Sequence, residues 1–202
     1  MSIASPVRPP RRRVARALVL AALVSLPACA AESREIAHRP WGAIEPAEAA
    51  PDIEVSLADG TRGRLVDLLR GKTSAIQFVF TGCSATCSLQ GAIFQSLQAQ
   101  LARHPIGGAQ LLSISIDPAN DTAVAMTAWL RRFGAQPGWQ AAIPASGDLA
   151  RLARLYRDER NPADSHIDQA FISSRSARFV WKTDHLPTPE SVHDALRYYA
   201  SH

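Results

Sequence analysis

A largely apolar run, Ser74–Phe80, passes through Thr81-Gly82 straight into residues with helical periodicity. A short run of this kind without strict alternation reads as a strand buried on both faces. From about Ala85 to Arg103, Leu89, Ile93, Leu97 and Leu101 recur every four residues, which predicts a helix with one buried face. Ala109–Ile116 repeats the strand signal and ends at Asp117-Pro118; Asn120 or Asp121 is placed to cap a second helix carrying Val124, Ala128, Trp129 and Phe133. A short strand over Trp139–Ile143, a helix over Asp148–Arg157 and a hairpin of Ile167–Ser173 with Ala177–Trp181 follow. Thr188 as cap and Pro189 in the first turn open a last helix. Ahead of all this, Ile53, Val55 and Leu57 alternate with polar residues, Asp59-Gly60 supplies a turn, and Leu65–Arg70 reads as a helical turn. This alternation predicts an α/β domain: a central, mostly parallel sheet, helices on both faces, and an N-terminal β-hairpin.

The rest of the 202-residue chain reads as a leader over 1–29 and a flexible linker over 30–51, with the domain at 52–202. Residues 1–28 hold five arginines and no acid; setting these aside leaves 17 basic against 18 acidic residues. The basic pI therefore belongs to the N-terminus, and no nucleic-acid partner is expected. Arg8–Arg16 precede the ten-residue apolar segment Ala17–Leu26, about 15 Å as a helix and half of a bilayer core, which fits an export signal rather than a stable span. Leu26-Pro27-Ala28-Cys29 resembles a bacterial lipoprotein box, which would make Cys29 the membrane anchor; cleavage near Ala30 or Ala31 is the alternative. The expected location is the bacterial periplasm. Residues 32–51, rich in Ala, Glu and Pro, read as the linker.

With Cys29 in the leader, the domain holds Cys83 and Cys87 alone. One closely spaced pair is a redox couple or part of a metal site, not a disulfide framework. Four residues apart on a helix, the two would share a face, and a helix N-terminus favours thiolate over thiol. Thiolate is both nucleophile and soft metal ligand, suited to Cu(I) or zinc. Two sulfurs leave coordination incomplete, and histidine is the commonest further donor. Of the six histidines, His166 differs: it ends the polar loop Asn161–His166 just before a strand.

Phe80-Thr81-Gly82-Cys83-Ser84-Ala85-Thr86-Cys87 resembles the F-T-x-C-x-x-x-C motif of the Sco/SenC family. Gly71-Lys72, the segment Ser115-Ile116-Asp117-Pro118-Ala119-Asn120-Asp121-Thr122 and Asp164-Ser165-His166 match further family segments in order, over about residues 52–200. The resemblance implies a thioredoxin-like fold and one copper ion, Cu(I) or Cu(II), held by Cys83, Cys87 and His166. It also implies a redox-active pair served by a thiol reductant, and an acceptor that is the copper-bearing subunit of cytochrome c oxidase or another copper chaperone. Ser88 stands where the family usually has proline, and Ile167–Ser174 departs from its usual run after the histidine.

An enzymatic alternative is a thiol–disulfide oxidoreductase that keeps envelope cysteines reduced. A peroxiredoxin-like peroxidase is disfavoured, because Phe80 and Ser84 occupy the positions where its T-x-x-C threonine would stand. Asp117 and Asp121 read as turn former and helix cap, Trp129, Trp139 and Trp181 as packing residues, and Arg151, Arg154, Arg157 and Arg160 as a solvated helix face.

Overall fold

A computed structural model describes residues 41–156 and 167–202. Eight strands form one sheet: β1 (Gly42–Ala49), β2 (Glu54–Leu57), β3 (Arg62–Arg64), β4 (Thr73–Val79), β5 (Ala109–Ser115), β6 (Trp139–Pro144), β7 (Ala170–Ser173) and β8 (Arg178–Lys182). Five helices accompany them: α1 (Leu65–Leu69), α2 (Thr86–Arg103), α3 (Ala123–Arg132), α4 (Leu149–Tyr156) and α5 (Pro189–Ser201). The strand order is β1-β8-β7-β4-β5-β6-β2-β3.

The parallel part of the sheet is narrower than the sequence pattern predicts. β4, β5 and β6 run parallel, because α2 and α3 carry the chain back between them. The other five pairings are antiparallel. The tight turn after Ser173 forces β8 to run against β7, and the Asp59-Gly60 turn does the same for β2 and β3, the expected N-terminal hairpin.

Part of the stretch read as linker is strand. β1 pairs with β8, Gly42 opposite Lys182 and Ala49 opposite Arg178. It is an edge strand whose side chains are mostly solvated, so it carries no apolar alternation, and its edge position tolerates Pro46.

Alternation along the central strands sorts side chains to two faces. Ile76, Phe78, Leu112 and Ile114 meet Leu65 and Leu69 of α1 and Leu152 and Leu155 of α4. Ala75, Val79, Leu111, Ala170 and Ile172 face Phe94 and Leu97 of α2, Met126 and Trp129 of α3, and Val192 and Leu196 of α5. Cys83 and Cys87 belong to this second face. Trp129 and Trp139 are buried in it and Trp181 is partly buried against it, as packing residues.

Two local expectations change. The buried residues of α2 are Cys87, Gln90, Gly91, Phe94 and Leu97, while Leu89 is exposed. Ile93, Leu97 and Leu101 pack against the core as expected, and beside them the Phe133 ring lies on Gly91, where a β-carbon would come within 2.4 Å of it. The cap of α3 is Thr122, whose Oγ1 accepts from the Ala125 N–H at 3.1 Å, rather than Asn120 or Asp121. The expected cap of α5, Thr188, does accept from the Ser191 N–H at 3.2 Å.

Candidate functional site

β4 brings the chain to the end of the sheet where Phe80, Thr81 and Gly82 turn it toward α2. The Cys83 N–H closes that turn on the Phe80 carbonyl at 3.1 Å. Cys83 is therefore not on the helix. α2 begins at Thr86, and the N-cap residue Ala85 has φ −110°, ψ −92° and offers no capping side chain. A helix start leaves N–H groups unanswered, and here they turn to sulfur. The Cys87 N–H donates to Cys83 Sγ at 3.3 Å, and the backbone of Ala85 and Thr86 beside it also favours the Cys83 thiolate. The two cysteines thus meet through a turn that makes Cys83 the cap of α2, and not through the shared helical face that their spacing suggested.

This arrangement separates the acidities of two buried thiols, 9% and 4% exposed. Burial pushes Cys83 up, but hydrogen bonds from the Cys87 side chain and from the helix-start N–H groups outweigh it, so Cys83 lies below the ordinary thiol value. Cys87 is pushed up to about 12, first by burial and then by its bond to Cys83. Cys83 is the more acidic thiol of the pair and Cys87 the less acidic. Both are free thiols.

Asp121, buried just ahead of α3, fixes the turn. Its Oδ1 accepts from the Thr81 N–H at 3.0 Å and from Thr81 Oγ1 at 2.5 Å. Its Oδ2 accepts from Ser115 Oγ at 2.6 Å. The expected helix cap is instead a tie between the cysteine turn and the neighbouring strand. Its signal in the sequence was Thr81 ahead of Cys83 together with Ser115 and Asp121 in one segment. Asp117 is the expected turn former: its carbonyl accepts from the N–H groups of Asn120 and Asp121 at 3.1 and 2.9 Å.

The other flank lies beyond the start of β7. Gln77 pairs with Ala170, so residues 167–169 run past the ladder at the level of the cysteine turn. Gln90, on α2 beyond Cys87, donates to the Gln169 carbonyl at 3.3 Å, and Asp168 Oδ2 lies 2.6 Å from His185 Nδ1. The second Asp168 oxygen and Gln90 Oε1 are buried without a hydrogen-bond partner among the described residues. Periodicity could not reveal this cluster, because its members come from three elements. His166 and Cys29 lie outside the described residues.

The SCO1/SenC family model matches residues 60–201. The chain belongs to the SCO1/SenC family. Among solved structures it is similar to a SCO1/SenC family lipoprotein from Bacillus anthracis, at 18% identity and TM-score 0.65, covering 82% of this chain and 98% of that one. It is similar to yeast Sco1 with copper bound, at 17% identity and TM-score 0.64, over 76% and 93% of the two chains. It is also similar to BsSco, a family member described with a disulfide switch, at 15% identity and TM-score 0.64, over 77% and 95%. These likenesses establish the thioredoxin-like fold. Among curated proteins, none matches this chain.

The donor set suits a soft metal in part. The buried thiols are hydrogen-bonded to each other, and one is driven toward thiolate. Among the described residues, no group of three or more His, Cys, Asp or Glu could hold a metal ion, so a third donor must come from elsewhere.

Proposed function

We propose that this chain is an exported, membrane-anchored copper carrier of the SCO1/SenC type. Cys83, Cys87 and His166 hold the ion as cargo for the copper-bearing subunit of cytochrome c oxidase or for another copper chaperone. The observation that carries this reading is the capping of α2 by Cys83, which supplies one thiolate beside a second thiol in a buried corner. The copper-bound yeast relative and the disulfide switch described for BsSco support it. His166 enters by its match to the family's histidine segment, directly ahead of the anchored residues 167–169. In this reading residues 1–29 are the leader, Cys29 is the lipidated anchor, and the domain works in the bacterial periplasm.

Copper binding displaces protons from the thiols, so the dithiol is the competent state. Oxidation of Cys83 and Cys87 to a disulfide removes two electrons and both thiolate donors, and a thiol reductant restores them. In the test, Cu(I) and Cu(II) are titrated into the reduced chain and into Cys83→Ser, Cys87→Ser and His166→Ala variants. Each substitution should weaken binding at least tenfold. Unchanged affinity in both Cys83→Ser and His166→Ala would sink the reading.

The split in acidity also favours a thiol–disulfide oxidoreductase. Cys83 thiolate would attack a substrate disulfide to form a mixed disulfide and release one thiolate. Cys87, on losing its proton, would attack Cys83 sulfur and release the second. Two electrons and two protons then pass to the substrate, and the chain is left oxidised. Turnover with a disulfide substrate and a reductant, alongside weak copper binding, would select this reading.

A further inference from the structure

We propose that the cysteine-bearing end of the domain faces the lipid bilayer, with Trp41, Leu89, Val124 and Leu186 as the surface that rests against it. The proposal depends on the reading above that the leader keeps the chain on the membrane.

Strand register sets the geometry. β7 runs against β4, β8 against β7, and β1 against β8. β1 therefore starts at the end of the sheet where β4 stops, and the chain enters the domain on the cysteine side. Three strand spacings, about 14 Å, separate β1 from β4.

The length of chain ahead of β1 then limits orientation. Twelve residues lead from Cys29 to Trp41, and whatever conformation they take, they span at most about 40 Å. A domain of this length is about 40 Å across. With the cysteine end toward the bilayer, the start of β1 lies near the lipid and every tether conformation is allowed. With the opposite end down, the tether would have to be fully extended along the side of the domain.

The surface at that end fits a lipid interface. Trp41 is 63% exposed and Val124 80%. Leu89 lies two residues beyond Cys87. Val124 is in the first turn of α3, just after the Asp121 tie to the cysteine turn. Leu186 is exposed at φ 35°, in the left-handed region, and its N–H donates to the Asp168 carbonyl at 3.0 Å. Of the five large hydrophobic side chains exposed among the described residues, Trp41, Leu89, Val124 and Leu186 belong to segments that start or end at the cysteine end of the sheet, with Val124 also lining the groove beside Asp59 and Gly60, and Tyr198 lies late in α5. Tryptophan is the side chain best suited to the headgroup region.

The test uses the mature, lipid-bearing chain that begins at Cys29, isolated from membranes and reconstituted in phosphatidylcholine–phosphatidylglycerol vesicles with and without brominated lipid. Flotation reports anchoring regardless of orientation. The expected result is that the chain floats, brominated lipid quenches tryptophan emission, and Trp41→Phe removes most of that quenching. A photo-crosslinking phenylalanine in place of Val124 should yield lipid adducts, and one in place of Ser176, in the turn at the far end, should not. A chain that does not float overturns both the anchoring reading and this proposal. A floating chain whose quenching ignores Trp41→Phe, or which crosslinks lipid from position 176 and not 124, overturns the orientation alone. Adducts from position 124 to protein and not to lipid would do the same, and would make the rim a protein-docking surface.

Discussion

Asp121→Ala removes one carboxylate and leaves three donors without an acceptor: the Thr81 N–H, the Thr81 hydroxyl and the Ser115 hydroxyl. Ser115 is fully buried, and an unanswered buried donor costs about 1–3 kcal/mol. Thr81 is half-buried, so its two donors can reach water, at a further cost of about 1 kcal/mol. The sum is about 2–4 kcal/mol. For a domain of this size that lowers the melting temperature by about 5–15 °C. Asp121→Asn keeps the shape and one acceptor oxygen but loses the charge, and should cost about 1–2 kcal/mol. Urea unfolding of the reduced chain measures this as a lower midpoint at constant slope. Thr81→Val removes only the hydroxyl bond, and a double-mutant cycle with Asp121→Ala should return a coupling of about 1 kcal/mol. Asp121→Ala should also change the rate at which Cys83 is alkylated, because Thr81 holds the turn that ends at Cys83. Strict additivity of the two substitutions, or a loss below about 0.5 kcal/mol for Asp121→Ala, would refute the idea that this carboxylate holds the cysteine turn.

Other outcomes follow from the same geometry. Iodoacetamide should modify Cys83 well before Cys87, as read by peptide mass spectrometry. The Cys83 rate should climb with pH through a value below that of an ordinary thiol, because the lowered pKa means that thiolate forms earlier as protons are removed. Cys87, at about 12, should stay largely unreactive across neutral and mildly alkaline pH; equal rates for the two would contradict the capping role of Cys83. Gly91→Ala should destabilise by about 1–3 kcal/mol despite the better helix propensity of alanine, since the added β-carbon meets the Phe133 ring and Trp129 packs against that ring at 4.8 Å between centroids. Thermal unfolding checks this, and a neutral or stabilising result would mean that the ring moves freely.

Much of the fold was legible because burial leaves a pattern. β4 and β5 are buried almost throughout and read as apolar runs, and α5 announced itself through Thr188 and Pro189. β1 was not legible, because an edge strand is held by backbone pairing with β8 and leaves no apolar period. The face of α2 was legible at Ile93, Leu97 and Leu101 but not at Leu89, which is exposed in the first turn, nor at Gly91, whose contact with Phe133 leaves no periodic signal. The cysteines were recognisable from their spacing and the residues before them. The reason they meet was not, since it lies in an N-cap with no side chain to offer and a sulfur that takes its place.

By itself the sequence determined the α/β alternation, the thiol pair at the end of a buried strand, and the resemblance that joins this pair to a distant histidine. These depend on residue type and on spacing along the chain, which a linear text records. Tertiary structure alone decided the rest. It chose which thiol is the acid, because that depends on N–H groups aimed at one sulfur. It made Asp121 a tie and not a cap, because its partners lie on two other segments. It brought the start of β1 to the cysteine end, because only strand register fixes which ends of a sheet coincide.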